Sequence, residues 1–145
     1  MTSKINLPVV CLDHGLRNPS SSKPYRMVPA TEHIDNPAVI ELLQAFGRGE
    51  LQHGAAQAAA WHLNSDVSWQ ELAAKQQGTR RSLSRPPFFS EYELRAGMAY
   101  ASEANRRAEY ARLYGEKEKA ESTAAQDSDK AAEDERSRIR SESDE

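Results

Sequence analysis

The stretch that decides the fold reads AAQAAAWHL and occupies residues 55–63. Five of its first six residues are alanine, which has the highest helix propensity and lets a neighbouring helix approach closely. Trp61 adds one large apolar anchor, and Asn64 is a reasonable stop. The sequence therefore predicts a tightly packed helix from about Gln52 to Leu63, with other helices against it.

Three further helices are predicted around this one. The first begins at an Asp35 or Asn36 cap followed by a proline, carries an apolar stripe at helical spacing and ends near Gly47. The third and fourth begin at the capping boxes SWQE (68–71) and SEYE (90–93), each flanked by a hydrophobic staple. We expect the third helix to end near Gly78 and the fourth at about Tyr114, with Gly115 as its stop.

Shorter apolar segments precede the helices. Residues 5–12, INLPVVCL, are β-branched and apolar, which predicts a strand that Pro8 confines to an edge. The expected fold is mainly α: a small irregular helical bundle with a short N-terminal β element and a disordered acidic C-terminal tail. Its predicted parts are a β element and loop at 1–34, a helical domain at 35–115 and a charged tail at 116–145.

The charge distribution supports that division. Residues 116–145 hold 6 Lys or Arg and 11 Asp or Glu, a net charge of −5, whereas residues 1–115 hold 13 and 11, a net of +2. The tail has one large apolar residue, Ile139, so it buries too little surface to offset its ordering entropy. The overall charge of −3 gives no basis for nucleic-acid binding, and no apolar run is long enough for a membrane span.

Five blocks of sequence resemble the C-terminal region of a family of exported planctomycete proteins with no established activity. The blocks are VVCLDHG (9–15), DNPAVIEL (35–42), AAQAAAWHL (55–63), SWQELA (68–73) and PFFSEYEL (87–94). The resemblance implies an export signal and a β-rich region upstream. Read from Met1, the chain has no apolar signal region and is predicted to be cytoplasmic. An edge strand without a sheet favours the hypothesis that the native start lies upstream, which would make the protein exported.

Cys11 and His14 are a candidate metal site. Their Cys-x-x-His spacing supplies two ligand types that zinc prefers, and His53 or His62 is a candidate third ligand. These two histidines are nine residues apart on a helix, so they point in opposite directions and at most one joins the site. The alternative is a half-buried cysteine beside a histidine that bonds the backbone, with no cofactor.

Gln57 and Cys11 are a candidate covalent pair. Gln57 and Trp61 share a helix face. Residues 56–61 are faintly similar to a motif of bacterial surface thioester domains, whose glutamine is bonded to a cysteine. That resemblance implies Cys11 as the partner, although the aromatic residue of the family's cysteine motif is missing. The alternative is that Trp61 anchors the core and Gln57 makes hydrogen bonds.

The remaining candidates form an interaction surface. Phe88 and Phe89 follow two prolines; one serves the staple, and the other is a candidate anchor for a partner. Trp61 and Gln57 belong to the same candidate set. The alternative is that both phenylalanines pack on the bundle. No nucleophile elbow, phosphate-binding loop or zinc-protease motif occurs, so we expect no enzyme. The sequence favours a structural or protein-interaction module with an unknown protein partner. The competing class carries a metal or Cys–Gln site at Cys11.

Overall fold

The computed structural model describes residues 7–17, 19–79 and 81–142, and side chains of the last helix chiefly as far as residue 119. A short 3₁₀ turn at Ala30–Glu32 precedes four helices. These are α1 (Pro37–Gly47), α2 (His53–Ser65), α3 (Trp69–Ala74) and α4 (Glu91–Glu142). The predicted mainly α fold is confirmed.

The chain divides into two compact units. The first extends to Ala108 and the second begins at Glu109. The buried apolar side chains of the described residues all belong to the first unit, and residues 109–119 are exposed. The division therefore falls inside α4, earlier in the chain than the predicted boundary at 115.

Close packing of α2 organises the first unit. Its five alanines, Ala55, Ala56, Ala58, Ala59 and Ala60, have no exposed surface. Asn36 connects the start of α1 to the end of α2. Its Oδ1 caps α1 by accepting from Ala38 N, and its Nδ2 donates to Leu63 O at 2.9 Å. Two apolar clusters form on α2. One of them contains Trp61, Leu72 and Phe89 and borders the site described below.

Both predicted capping boxes are formed. Ser68 Oγ accepts from Glu71 N, and the Glu71 carboxylate accepts from Ser68 N at 2.9 Å. Ser90 and Glu93 make the same reciprocal bonds at 3.2 and 2.7 Å. The third helix ends at Ala74, earlier than expected, because Lys75 O accepts from Phe88 N and Gln77 N donates to Pro86 O. This pairing draws the chain out of helical geometry.

The fourth helix continues through Gly115 to Glu142, where the sequence predicts a stop and a disordered tail. Gly115 costs only about 1 kcal/mol in a helix interior, and its flanking residues are mostly strong helix formers. Arg112 and Glu116 add an ion pair across this point at 3.0 Å. None of the helices described here combines the length and the apolar content that a membrane span requires.

The predicted N-terminal β element is not a strand over its described residues, 7–12, while Ile5 and Asn6 lie outside them. No strand occurs anywhere in residues 7–17, 19–79 or 81–142; only a single bridge joins Gln76 and Pro87. The hydrogen bonds that a neighbouring strand would supply come instead from side chains of α2.

Candidate functional site

The side chain of Gln57 holds the N-terminal segment on α2. Its Oε1 accepts from Cys11 N at 2.8 Å, and its Nε2 donates to Cys11 O at 2.7 Å. One amide thus satisfies both backbone groups of one residue, as a β-strand neighbour does. Gln57 is 8% exposed, so these bonds are largely shielded from water.

Three more α2 side chains bind the same segment. His53 Nε2 donates to Val9 O at 2.8 Å. Asn64 Nδ2 and Ser65 Oγ both donate to Leu12 O, at 3.2 and 2.9 Å. Ser65 Oγ also accepts from His14 N at 3.1 Å. The backbone of residues 9–14 is therefore fixed by α2, which explains why it needs no sheet.

A cleft of about 620 Å³ opens beside this segment. Its volume is in the range of pockets that bind small ligands. The wall combines the N-terminal segment, α2 and the chain that follows α3, and its lining includes Cys11, Leu16, Gln57, Trp61, Lys75 and Phe88.

Aromatic rings form one side of the cleft. The Trp61 ring centroid lies 5.6 Å from Phe88 and 5.8 Å from Phe89. Phe89 is 4% exposed and belongs to the core, whereas Phe88 is 37% exposed. This arrangement places one phenylalanine inside and leaves the other with surface for a partner.

Trp61 leaves a hydrogen-bond donor unused. The residue is 8% exposed and its Nε1 is buried, without a hydrogen-bond partner among the described residues. A buried donor left unpaired costs about 1–3 kcal/mol.

Lys75 places a cation against this aromatic wall. Its Nζ lies 5.2 Å from the Trp61 ring centroid and 5.3 Å from that of Phe88. It donates to His14 Nε2 at 3.1 Å. Burial, and then the Lys75 charge, lower the pKa of His14, so the imidazole is neutral and accepts this bond at pH 7.

Two carboxylates also line the cleft. Glu93 accepts hydrogen bonds from Ser90 and Gln52, and the Ser90 bonds lower the pKa of its carboxyl group. Asp13 is exposed. Neither carboxylate forms an ion pair with Lys75 within the part of the chain that the structure describes.

The histidines of the candidate metal site are engaged in hydrogen bonds. His14 directs Nε2 to Lys75, and the two candidate third ligands, His53 and His62, bond the carbonyls of Val9 and Val67. Among the residues described, no group of three or more His, Cys, Asp or Glu side chains is placed to hold a metal ion. A zinc site on Cys11 and His14 stays a prediction.

The candidate covalent pair is brought together in space. Gln57 contacts Cys11, but through the cysteine backbone, and both polar atoms of the amide are used. Cys11 is a free, partly buried thiol. The sequence reasoning missed Lys75, Asn64 and Ser65, because no short motif marks a side chain that bonds a backbone segment distant in the sequence.

Comparisons with known proteins give no relative: no family model, curated protein or solved structure matches this chain.

Proposed function

We propose that this chain is a protein-interaction module that binds a segment of a partner protein in the cleft beside α2. One observation carries the proposal: the partly exposed ring of Phe88 lies in the cleft next to Trp61 and the Lys75 cation. Aromatic residues in such partly desolvated sites supply much of the affinity of protein interfaces.

The proposal assigns binding and no bond-making chemistry. Glu93 in the cleft lining and Glu71 near it have structural partners, because they complete the capping boxes of α4 and α3, while Asp13 is exposed. His14 and His53 are likewise held in hydrogen bonds. These assignments support a recognition surface rather than a general acid–base pair.

Photo-crosslinking tests this function. Benzoylphenylalanine in place of Phe88 should form an adduct with one polypeptide in the cells that make the protein, and mass spectrometry should map it to one segment. A synthetic copy of that segment should bind the purified chain. The control position is Leu83, which is fully exposed and outside the cleft lining. An adduct of the same pattern from position 83, or none from position 88, would contradict the proposal.

We also propose that the module is the C-terminal part of a larger exported protein. The five sequence blocks that resemble exported planctomycete proteins support this, as do the exposed apolar side chains of Leu7 and Val9. The intact mass of the native protein in exported and cytoplasmic fractions tests it. A cytoplasmic mass equal to that of residues 1–145 would overturn it.

The contact between Gln57 and Cys11 favours one alternative function, a covalent site. Cys11 Sγ would attack Gln57 Cδ, the C–N bond would break, and the amide nitrogen would leave as ammonia with the thiol proton. The native protein would then weigh one ammonia less than its sequence, and Cys11→Ala would restore the full mass. The zinc form of this alternative predicts a bound metal that is lost in Cys11→Ala.

A further inference from the structure

We infer that the cleft selects a partner segment in which an aspartate or glutamate side chain lies next to an apolar residue, and that Lys75 binds the carboxylate. This inference rests on the proposed function and specifies its ligand. Lys75 is partly buried, whereas the other lysines and arginines whose side-chain burial the structure describes are exposed. A partly desolvated cation without a counter-charge is a site for an anion.

Other basic residues contrast with Lys75. Several exposed arginines pair with glutamates, in the pairs Arg48–Glu50, Arg106–Glu103, Arg107–Glu103 and Arg112–Glu116. Arg17 also lines the cleft and has no ion pair among the described residues, but it is exposed to solvent, whereas Lys75 is partly buried. Within the described part of the chain, the ammonium group of Lys75 contacts the neutral imidazole of His14 and two aromatic rings. These contacts fix the position of the charge and leave it without a carboxylate partner in the described part of the chain.

The carboxylates near Lys75 either accept hydrogen bonds within the chain or are exposed to solvent. Glu71, one turn before Lys75, accepts from Ser68 in the α3 capping box. Glu93 is held by Ser90 and Gln52. Asp13 lies on the exposed side of the lining and forms no ion pair among the described residues. A carboxylate from a partner would therefore meet Lys75 without displacing an existing ion pair.

The surroundings of Lys75 specify what accompanies the carboxylate. Phe88 and Leu16 offer exposed apolar surface in the same cleft. The partner segment is thus expected to carry an apolar side chain beside its acidic one. A free-acid peptide in the test distinguishes a side-chain carboxylate from one at a chain end.

Three matched tripeptides test this inference: acetyl-Phe-Asp-Leu-amide, its Asn analogue, and the Asn analogue with a free terminal carboxylate. Titrations follow the Trp61 indole N–H resonance by NMR, assigned with a Trp69→Phe variant. We expect the Asp peptide to bind at least about tenfold more tightly than the Asn amide. Lys75→Met should abolish this preference, Lys75→Arg should keep most of it, and the exposed control Lys23→Met should not change it.

Equal binding of the Asp and Asn peptides would overturn the inference, as would loss of the preference in Lys23→Met. Tightest binding of the free-acid peptide would also overturn it, because the carboxylate would then come from a chain end. The backbone spectrum of Lys75→Met checks that the variant is folded.

If no tripeptide binds while Phe88 still crosslinks to one partner segment, this inference fails and the proposed function stands. If the Asp peptide binds but no segment is crosslinked, the proposed function fails instead.

Discussion

Gln57 is the residue on which the N-terminal segment depends. Its amide is the sole described partner of both Cys11 backbone groups. In Gln57→Ala those groups lose their partners in a partly buried position, at a cost of about 1–3 kcal/mol per group that stays dry. We expect a lower free energy of unfolding in urea and much faster hydrogen exchange at the Cys11 amide.

Cys11→Ala and Gln76→Ala are the matched controls for this prediction. Cys11→Ala keeps the backbone that Gln57 binds, and Gln76 is exposed. Both variants should change stability by less than about 1 kcal/mol. Slow exchange at residue 11 in Gln57→Ala would show that the amide does not hold the segment.

His14 makes stability depend on pH in a defined window. Burial and the Lys75 charge lower its pKa in the folded protein from 6.5. The unfolded chain therefore binds this proton more readily than the folded protein does. The part of the free energy of unfolding that depends on a neutral His14 is present above pH 6.5 and is lost as the pH falls toward the folded-state pKa. Urea unfolding at pH 7.5 and 5.5 should show a smaller loss in His14→Gln than in wild type. An equal loss in both proteins would rule out this contribution.

At the scale of elements, α4 lies close against α2 at Gly97. A Cβ on Gly97 would lie 3.0 Å from Ala55 O and 3.3 Å from Ala58 Cβ. The backbone oxygen cannot move aside as a flexible side chain would. We therefore expect Gly97→Ala to lower the free energy of unfolding by about 1–3 kcal/mol despite the better helix propensity of alanine.

Gly115 is the control in the same helix. A Cβ there meets no atom within 4 Å, so Gly115→Ala should raise helix content by circular dichroism and should not reduce stability. A Gly97→Ala protein as stable as wild type would show that the two helices separate at little cost.

For the whole molecule, the division at Ala108 predicts independent stability of the first unit. Every described buried residue precedes Glu109. A chain ending at Tyr114 should therefore unfold cooperatively, with a free energy of unfolding within about 1 kcal/mol of the full chain. Loss of the cooperative transition would assign a stabilising role to the rest of α4.

The sequence predicted the start of α4 correctly, but not its continuation past Gly115. Its start at Ser90 and Glu93 depends on atoms three residues apart, which a sequence pattern encodes. Its continuation past Gly115 depends on a sum of small propensities along many residues, which no single stop signal decides.

The sequence by itself determined where the helices begin and that α2 packs tightly, because caps, staples and alanine spacing act between residues close in the chain. Only the tertiary structure decided that residues 7–12 form no strand. Gln57 and Ser65 supply the bonds of that segment from 46 and 53 residues away. Only the tertiary structure placed Lys75 beside Trp61 and Phe88, because that position depends on long-range packing. Hydrogen bonds and ring contacts between residues distant in the sequence produce no periodic sequence pattern. They could therefore be seen only in the folded chain.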